Sequence, residues 1–220
     1  MSDQLREFLA KARGAAVGAR VLPLDELRPP QSSEEEAAEP WGLAALRGRL
    51  VELSARGARA TLTAATGLVL EAQTASEPTA WILLPAEGTF YPPDVADSGV
   101  DLAALVVVRA ADAVAAARAA ERLLRSGAFG LVVIDLRSGD LSMAQQGRLV
   151  TLAQAHDAAV VCLTDKPQDA ASLGSLVSLR AEAMRIHDRG GYTVAVRALK
   201  DKRRGPGWSR KIKARGPAGL

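Results

Sequence analysis

Short continuous apolar runs alternate with longer segments of helical spacing from residue 50 to residue 164. Trp81-Ile82-Leu83-Leu84, Val106-Val107-Val108 and Leu131-Val132-Val133-Ile134 contain no polar position, as suits strands covered by helices on both faces. The pattern predicts strands over 50–54, 79–84, 105–109, 130–136 and 158–164. Helices are predicted between them over 61–73, 94–98, 111–125 and 142–155. Such alternation builds a parallel sheet. Beyond Thr164 the grammar changes: residues 176–187 and 192–199 alternate apolar with polar positions around Arg189-Gly190-Gly191. That is the pattern of an antiparallel hairpin. The expected fold is a three-layer α/β/α core, mostly parallel, with an antiparallel C-terminal hairpin.

The two ends of the chain read differently. Ser2 stands where an N-cap would open a helix over 3–13, with Leu5, Phe8, Leu9 and Ala12 on one face. This helix and its lead-in occupy 1–28. The Pro-, Ser- and Glu-rich residues 29–40 read as a mobile linker. The core spans 41–199, and 200–220 reads as a basic, unstructured tail.

Composition adds little to the fold but much to the electrostatics. Hydrophobic residues make up 48% and charged residues 24%, which excludes wholesale disorder. The net charge of +3 conceals an asymmetry. From Val196 to Leu220 nine basic residues stand against Asp201 alone, a local +8 that leaves −5 on the remainder. Lys200, Lys202, Arg203, Arg204, Arg210, Lys211, Lys213 and Arg215, with Trp208 among them, are therefore the expected contacts to nucleic acid or an acidic partner. The single Cys162 excludes an intrachain disulfide and suits a reducing compartment. The N-terminus lacks the apolar run of a signal peptide, and no stretch approaches the ~20 apolar residues of a membrane helix. The expectation is a cytoplasmic, nucleoid-associated protein. His156 and His187 have no Cys or carboxylate at ligand spacing, so neither a metal nor another cofactor is expected.

The stretch 50–73 reads as strand, loop and helix, where a phosphate-binding G-x-x-x-x-G-K-[ST] would sit. The loop residues are Ala55-Arg56-Gly57-Ala58-Arg59-Ala60-Thr61-Leu62. With Ala55 and Ala60 at the two glycine positions, Thr61 replaces the lysine and Leu62 replaces the hydroxyl that would hold magnesium. Leucine cannot ligate a hard cation, and threonine brings no positive charge to a triphosphate. Arg56 and Arg59 read as solvated loop charges.

Several segments, in order, resemble the ATPase core of RecA-type recombinases. They are Arg47–Leu53 (RGRLVEL), the helix ending LEAQ, AEGTFYPP, SGVDLAALVV, LLRSGAFGLVVIDL and ALKDK. Within that superfamily the small size, eroded phosphate loop and basic end resemble ImuA-type mutasome accessory proteins. The resemblance implies that Asp135 matches the aspartate orienting magnesium and Glu87 the glutamate activating water. Both are read as remnants. Pro92 matches the family proline, but Asp94 stands at the adenine-stacking tyrosine position, with Tyr91 three residues earlier. Lys200 and Lys202 match a lysine pair that reaches a neighbour's nucleotide. Asp165 replaces a glutamine that senses the γ-phosphate and would repel that phosphate. The segments matching the DNA-binding loops, 137–143 and 165–174, are short, with two basic residues and no aromatic.

The resemblance thus implies a non-catalytic adaptor in DNA-damage-induced mutagenic translesion synthesis. Its implied partners are an inactive Y-family polymerase paralogue (ImuB-type) and an error-prone replicative-type polymerase complex. RecA recombinase, and DNA through the basic tail, complete the set. The alternatives are a weak DNA-dependent ATPase or recombinase regulator, and a SulA-like cell-division inhibitor.

Overall fold

Those alternating segments assemble into one eight-stranded sheet in the computed structural model, which describes residues 39–55, 60–85, 90–188 and 191–213. The expected N-terminal helix with its lead-in, linker residues 29–38, loop residues 56–59, Glu87 and Arg215 lie outside the described residues. The elements in chain order are α1 (Leu43–Leu46), β1 (Arg49–Ala55), α2 (Thr61–Thr74), β2 (Thr79–Leu83) and α3 (Pro92–Asp97). After a 3-10 turn (Leu102–Ala104) come β3 (Leu105–Arg109), α4 (Ala113–Arg125), β4 (Leu131–Arg137), α5 (Met143–Ala155) and β5 (Ala159–Thr164). The chain closes the sheet with β6 (Leu179–Asp188), β7 (Gly191–Asp201) and β8 (Ser209–Lys213).

The strand order is β3-β2-β4-β5-β1-β6-β7-β8. Strands β1 to β6 pair in parallel, and β7 and β8 pair antiparallel. The two-residue period of each strand sorts its side chains between two layers. Val51, Leu53, Trp81, Val133 and Val161 pack with α1 and α2 on one face. Leu50, Ile82, Val132, Ile134, Val160 and Cys162 pack under α4 and α5 on the other. This is the three-layer α/β/α arrangement, mostly parallel with an antiparallel end, read from the sequence pattern.

Local chemistry sets the helix starts. The Asp112 carboxylate accepts from Ala115 N at 2.7 Å, so α4 opens at Ala113 rather than at Ala111. Ser142 and Gln145 form a reciprocal capping box at the start of α5. Pro92 and Pro93 pre-set the first turn of α3, moving its start ahead of Asp94.

One expectation requires correction. The chain does not become unstructured at Lys200: β7 runs to Asp201, and Ser209–Lys213 forms an edge strand in register with residues 193–197. Gly205-Pro206-Gly207, inside the expected tail, closes a turn. Gly205 and Gly207 take φ of 79° and 97°, a region few other residues adopt. Gly205 N donates to Asp201 O, Gly207 N to Ala198 O, and Ala198 N to Trp208 O. Trp208 and Ile212 then pack against the core, and their burial holds the basic strand in place.

Candidate functional site

The carboxyl ends of the central strands β4, β5 and β1 are where a parallel sheet presents ligand-binding loops. On β1 the chain leaves the sheet at Ala55 and re-enters regular structure at α2. Ala60 and Thr61 are buried, and Leu62 packs partly buried against the core. The two positions where a phosphate loop would carry its lysine and its hydroxyl are thus turned to packing. Ala60 caps α2 without a side-chain hydrogen bond, and the helix's first turn carries no acid.

Across β5, Asp135 lies near the end of β4, only 3% exposed. A bulge separates Asp135 from Arg137 in the β4–β5 pairing, and Arg137 adopts φ of 54°. Bulges re-aim side chains. Here the Arg137 guanidinium spans two carboxylates, 3.8 Å from Asp135 and 3.3 Å from Asp165. A cation fixed to the protein therefore stands beside the carboxylate that the resemblance assigns to magnesium. Tyr91 is exposed at the mouth of α3, with exposed Asp94 in that helix's first turn.

On the face beneath α4 and α5, the apolar layer gives way to charge past the middle of β1. Glu52 is wholly buried and accepts from Thr164 Oγ1 (3.1 Å), Ser172 Oγ (2.8 Å) and Leu173 N (2.9 Å). Arg180 sits 3.8 Å from Glu52 and donates to the carbonyls of Pro167 (2.7 Å) and Ala170. Gln146, buried on α5, donates to the carbonyls of Leu141 and Leu173. Residues 165–178, which include the segment 165–174 matching a recombinase DNA loop, are thereby clamped to the sheet. Beside them Glu182 on β6 meets Arg197 on β7 at 2.6 Å. The guanidinium approaches outside the hydrogen-bonding direction, so this contact is coulombic. Burial, then the nearby Glu52 charge, pushes the Cys162 thiol far above its ordinary value, so it is an inert core residue.

The basic residues divide between bracing and exposure. Lys200 and Lys202 direct their ammonium groups to the carbonyls of Gly174 (3.4 Å) and Ser175 (2.5 Å). Burial, then the Lys202 charge, lowers the Lys200 pKa. Arg203 donates through its guanidinium to Arg47 O at 3.3 Å and through its backbone to Asp201. Trp208 donates Nε1–H to Asp201 Oδ2 at 3.0 Å, an anchor rather than a free stacking platform. Asp201 completes this corner by binding Arg49 at 2.6 Å with both side chains buried. Burial alone would raise its carboxyl, but the Arg203 N–H, the Arg49 guanidinium and the Trp208 indole together hold it below the usual range. Arg204 is half-buried. Arg210 and Lys211 are exposed on β8, Arg210 paired with Glu39 at 2.8 Å, and Lys213 ends the strand.

Sequence reasoning did not single out Glu52, Arg137, Arg180, Glu182, Arg197 or the Arg49–Asp201 pair. A signal was present for Glu52, a lone carboxylate inside the apolar run LVEL. Among the described residues no group of three or more His, Cys, Asp or Glu could hold a metal, and no helix is long and apolar enough to cross a membrane. No protein-family model matches the chain, and no curated protein matches it.

Proposed function

We propose that this chain is a non-catalytic RecA-like adaptor in DNA-damage-induced mutagenic translesion synthesis. It binds an inactive Y-family polymerase paralogue and an error-prone replicative-type polymerase complex, with recombinase and DNA as further partners. The observation that supports the non-catalytic reading is the Arg137 guanidinium lying between Asp135 and Asp165, with Thr61 buried and Leu62 packed on the core. Phosphoryl transfer depends on positioning and on neutralising charge at the phosphates. Here the strand-end carboxylates are already neutralised by their own chain, and the helix start offers no ammonium at Thr61 and no hydroxyl at Leu62. The choice of process and partners rests on the ordered sequence resemblance. Exposed Arg210 and Lys211 supply positive charge for an acidic or nucleic-acid surface, while Lys200, Lys202 and Trp208 brace the fold.

Two measurements test the reading. Thermal unfolding of the full chain with ATP or ADP and magnesium is expected to show no shift at millimolar nucleotide. A site occupied at a hundred times its Kd would add about 2.7 kcal/mol, several degrees for a chain of this size. A magnesium-dependent shift of that size overturns the non-catalytic reading. Calorimetric titration against a Y-family polymerase paralogue of the ImuB type is expected to show stoichiometric binding, and flat heats would overturn the partner assignment.

A further inference from the structure

The sheet ends in two unlike edges, β3 and β8. An edge strand exposes a row of unsatisfied backbone groups, and proteins usually blunt it with charge, proline or a bulge. Strand β8 is blunted: Arg210, Lys211 and Lys213 make three of its five residues basic. Strand β3 carries Leu105, Val106, Val107 and Val108 before its first charge at Arg109. It has no proline, and its pairing with β2 runs without a register shift. Val106 is 43% and Val107 40% exposed, pointing to opposite faces of the sheet by the alternation of the strand. Leu102 (39%) and Val114 (48%) extend apolar surface from the elements on either side of β3. A row of valines open on both faces at an unprotected edge is an association surface.

We propose that the protein self-associates through β3, two copies pairing antiparallel about Val107 into one continuous sheet. The sequence of the strand is self-complementary in that register. Val107 opposes its own equivalent, Val106 opposes Val108 of the second copy, and Leu105 opposes Arg109. Each pair keeps one face of the sheet, and β-branched pairs are favourable cross-strand neighbours. No like charges meet. The other edge pairings fail on charge, since β8 against β8 sets bases against bases, and β8 against β3 leaves its bases beside Arg109. The two-fold arrangement is closed, so it ends at a dimer. It rests on the β3 edge alone and stands independently of the adaptor reading.

Cross-linking of the full chain tests the register. Cys162 is buried, so Val107→Cys introduces an accessible thiol into a chain that otherwise has a single, enclosed one. Directly opposed residues of an antiparallel pair have Cα atoms about 4.5–5.5 Å apart, inside the span a disulfide bridges. Val107→Cys is therefore expected to form a disulfide dimer under mild oxidation at micromolar protein. Arg109→Cys lies four residues from its equivalent, about 14 Å along the strand, and is expected to stay un-bridged. Sedimentation should show the unmodified chain as a dimer and Val107→Lys as a folded monomer, with a cooperative melt that no longer depends on protein concentration. A monomeric unmodified chain, bridging by Arg109→Cys as readily as by Val107→Cys, or a dimer that survives Val107→Lys would each overturn the proposal.

Discussion

Strand β1 carries buried charge at its amino end and at its middle, and the two places resolve it differently. At the amino end the Arg49 guanidinium is fully engaged: Ser178 Oγ and O at 2.9 and 3.0 Å, Ala45 O at 3.4 Å and Asp201 at 2.6 Å. Asp201 in turn accepts from the Arg203 N–H and the Trp208 indole. At the middle Glu52 holds residues 172 and 173 down, and across β5 Arg137 sits between Asp135 of β4 and Asp165, the residue that follows β5. The first site joins sequence positions about as far apart as the fold allows and gains its stability from complete satisfaction of buried groups. The second sets an arginine of the chain itself between two carboxylates, 3.8 Å from Asp135 and 3.3 Å from Asp165. Charge near a strand end is therefore satisfied in two ways, by full enclosure at Arg49 and by a partly exposed arginine at Arg137.

The largest expected effect is at the amino end. Asp201→Ala leaves Arg49 buried without its carboxylate and should cost about 3–5 kcal/mol. Thermal melting followed by circular dichroism should drop by roughly 10 °C. The double replacement Arg49→Met with Asp201→Leu should recover much of that loss, because an apolar pair avoids the desolvation of charge. A loss under about 1 kcal/mol for the single change would remove this pair from the account of stability.

Glu52→Ala comes next, at about 3 kcal/mol, because three donors and Arg180 lose a buried acceptor. Its distinguishing readout is local. Amide exchange should accelerate across residues 165–178 more than in β2 or β4, and uniform acceleration would contradict the clamp.

Acid titration sharpens the contrast between the two carboxylate environments. The Asp201 carboxyl is held below its ordinary range, so its contribution is complete above about pH 4, the unfolded value, and is lost as the pH falls through the lower folded value. Stability measured from pH 5 downward should decline, and Asp201→Asn should flatten that decline. An unaltered acid limb in Asp201→Asn would show the titration belongs elsewhere.

The smallest effect is expected at Arg137, which is about a quarter exposed. Arg137→Ala should cost at most ~1 kcal/mol, since partly exposed ion pairs are screened and loosely held. Removing it should not create ATP hydrolysis, because Thr61 still brings no positive charge to a phosphate and Leu62 no magnesium ligand. Turnover appearing in Arg137→Ala, measured by phosphate release with magnesium present, would show that the arginine alone keeps the site silent.

The hydrophobic pattern was sufficient for the architecture. Continuous apolar runs such as Leu131–Ile134 can only be buried on both faces, and helical spacing between them leaves a layered parallel sheet as the outcome. The side-chain chemistry at positions 61 and 62 was equally legible, since a threonine brings no positive charge and a leucine no metal ligand whatever their placement. Strand order, and so the placing of β5 between β1 and β4, was decided by tertiary structure, because side-chain alternation does not encode neighbours. The same holds for Arg137, whose role depends on a bulge and a left-handed backbone that no local pattern announces. The basic end shows the difference most plainly. Read alone, Gly205-Pro206-Gly207 and clustered bases describe an extended tail. In the fold, Asp201 finds Arg49 from a strand begun 152 positions earlier, and Trp208 closes onto that pair. Charge density is a property of the sequence, whereas the partners that satisfy it exist only once the sheet has brought them together.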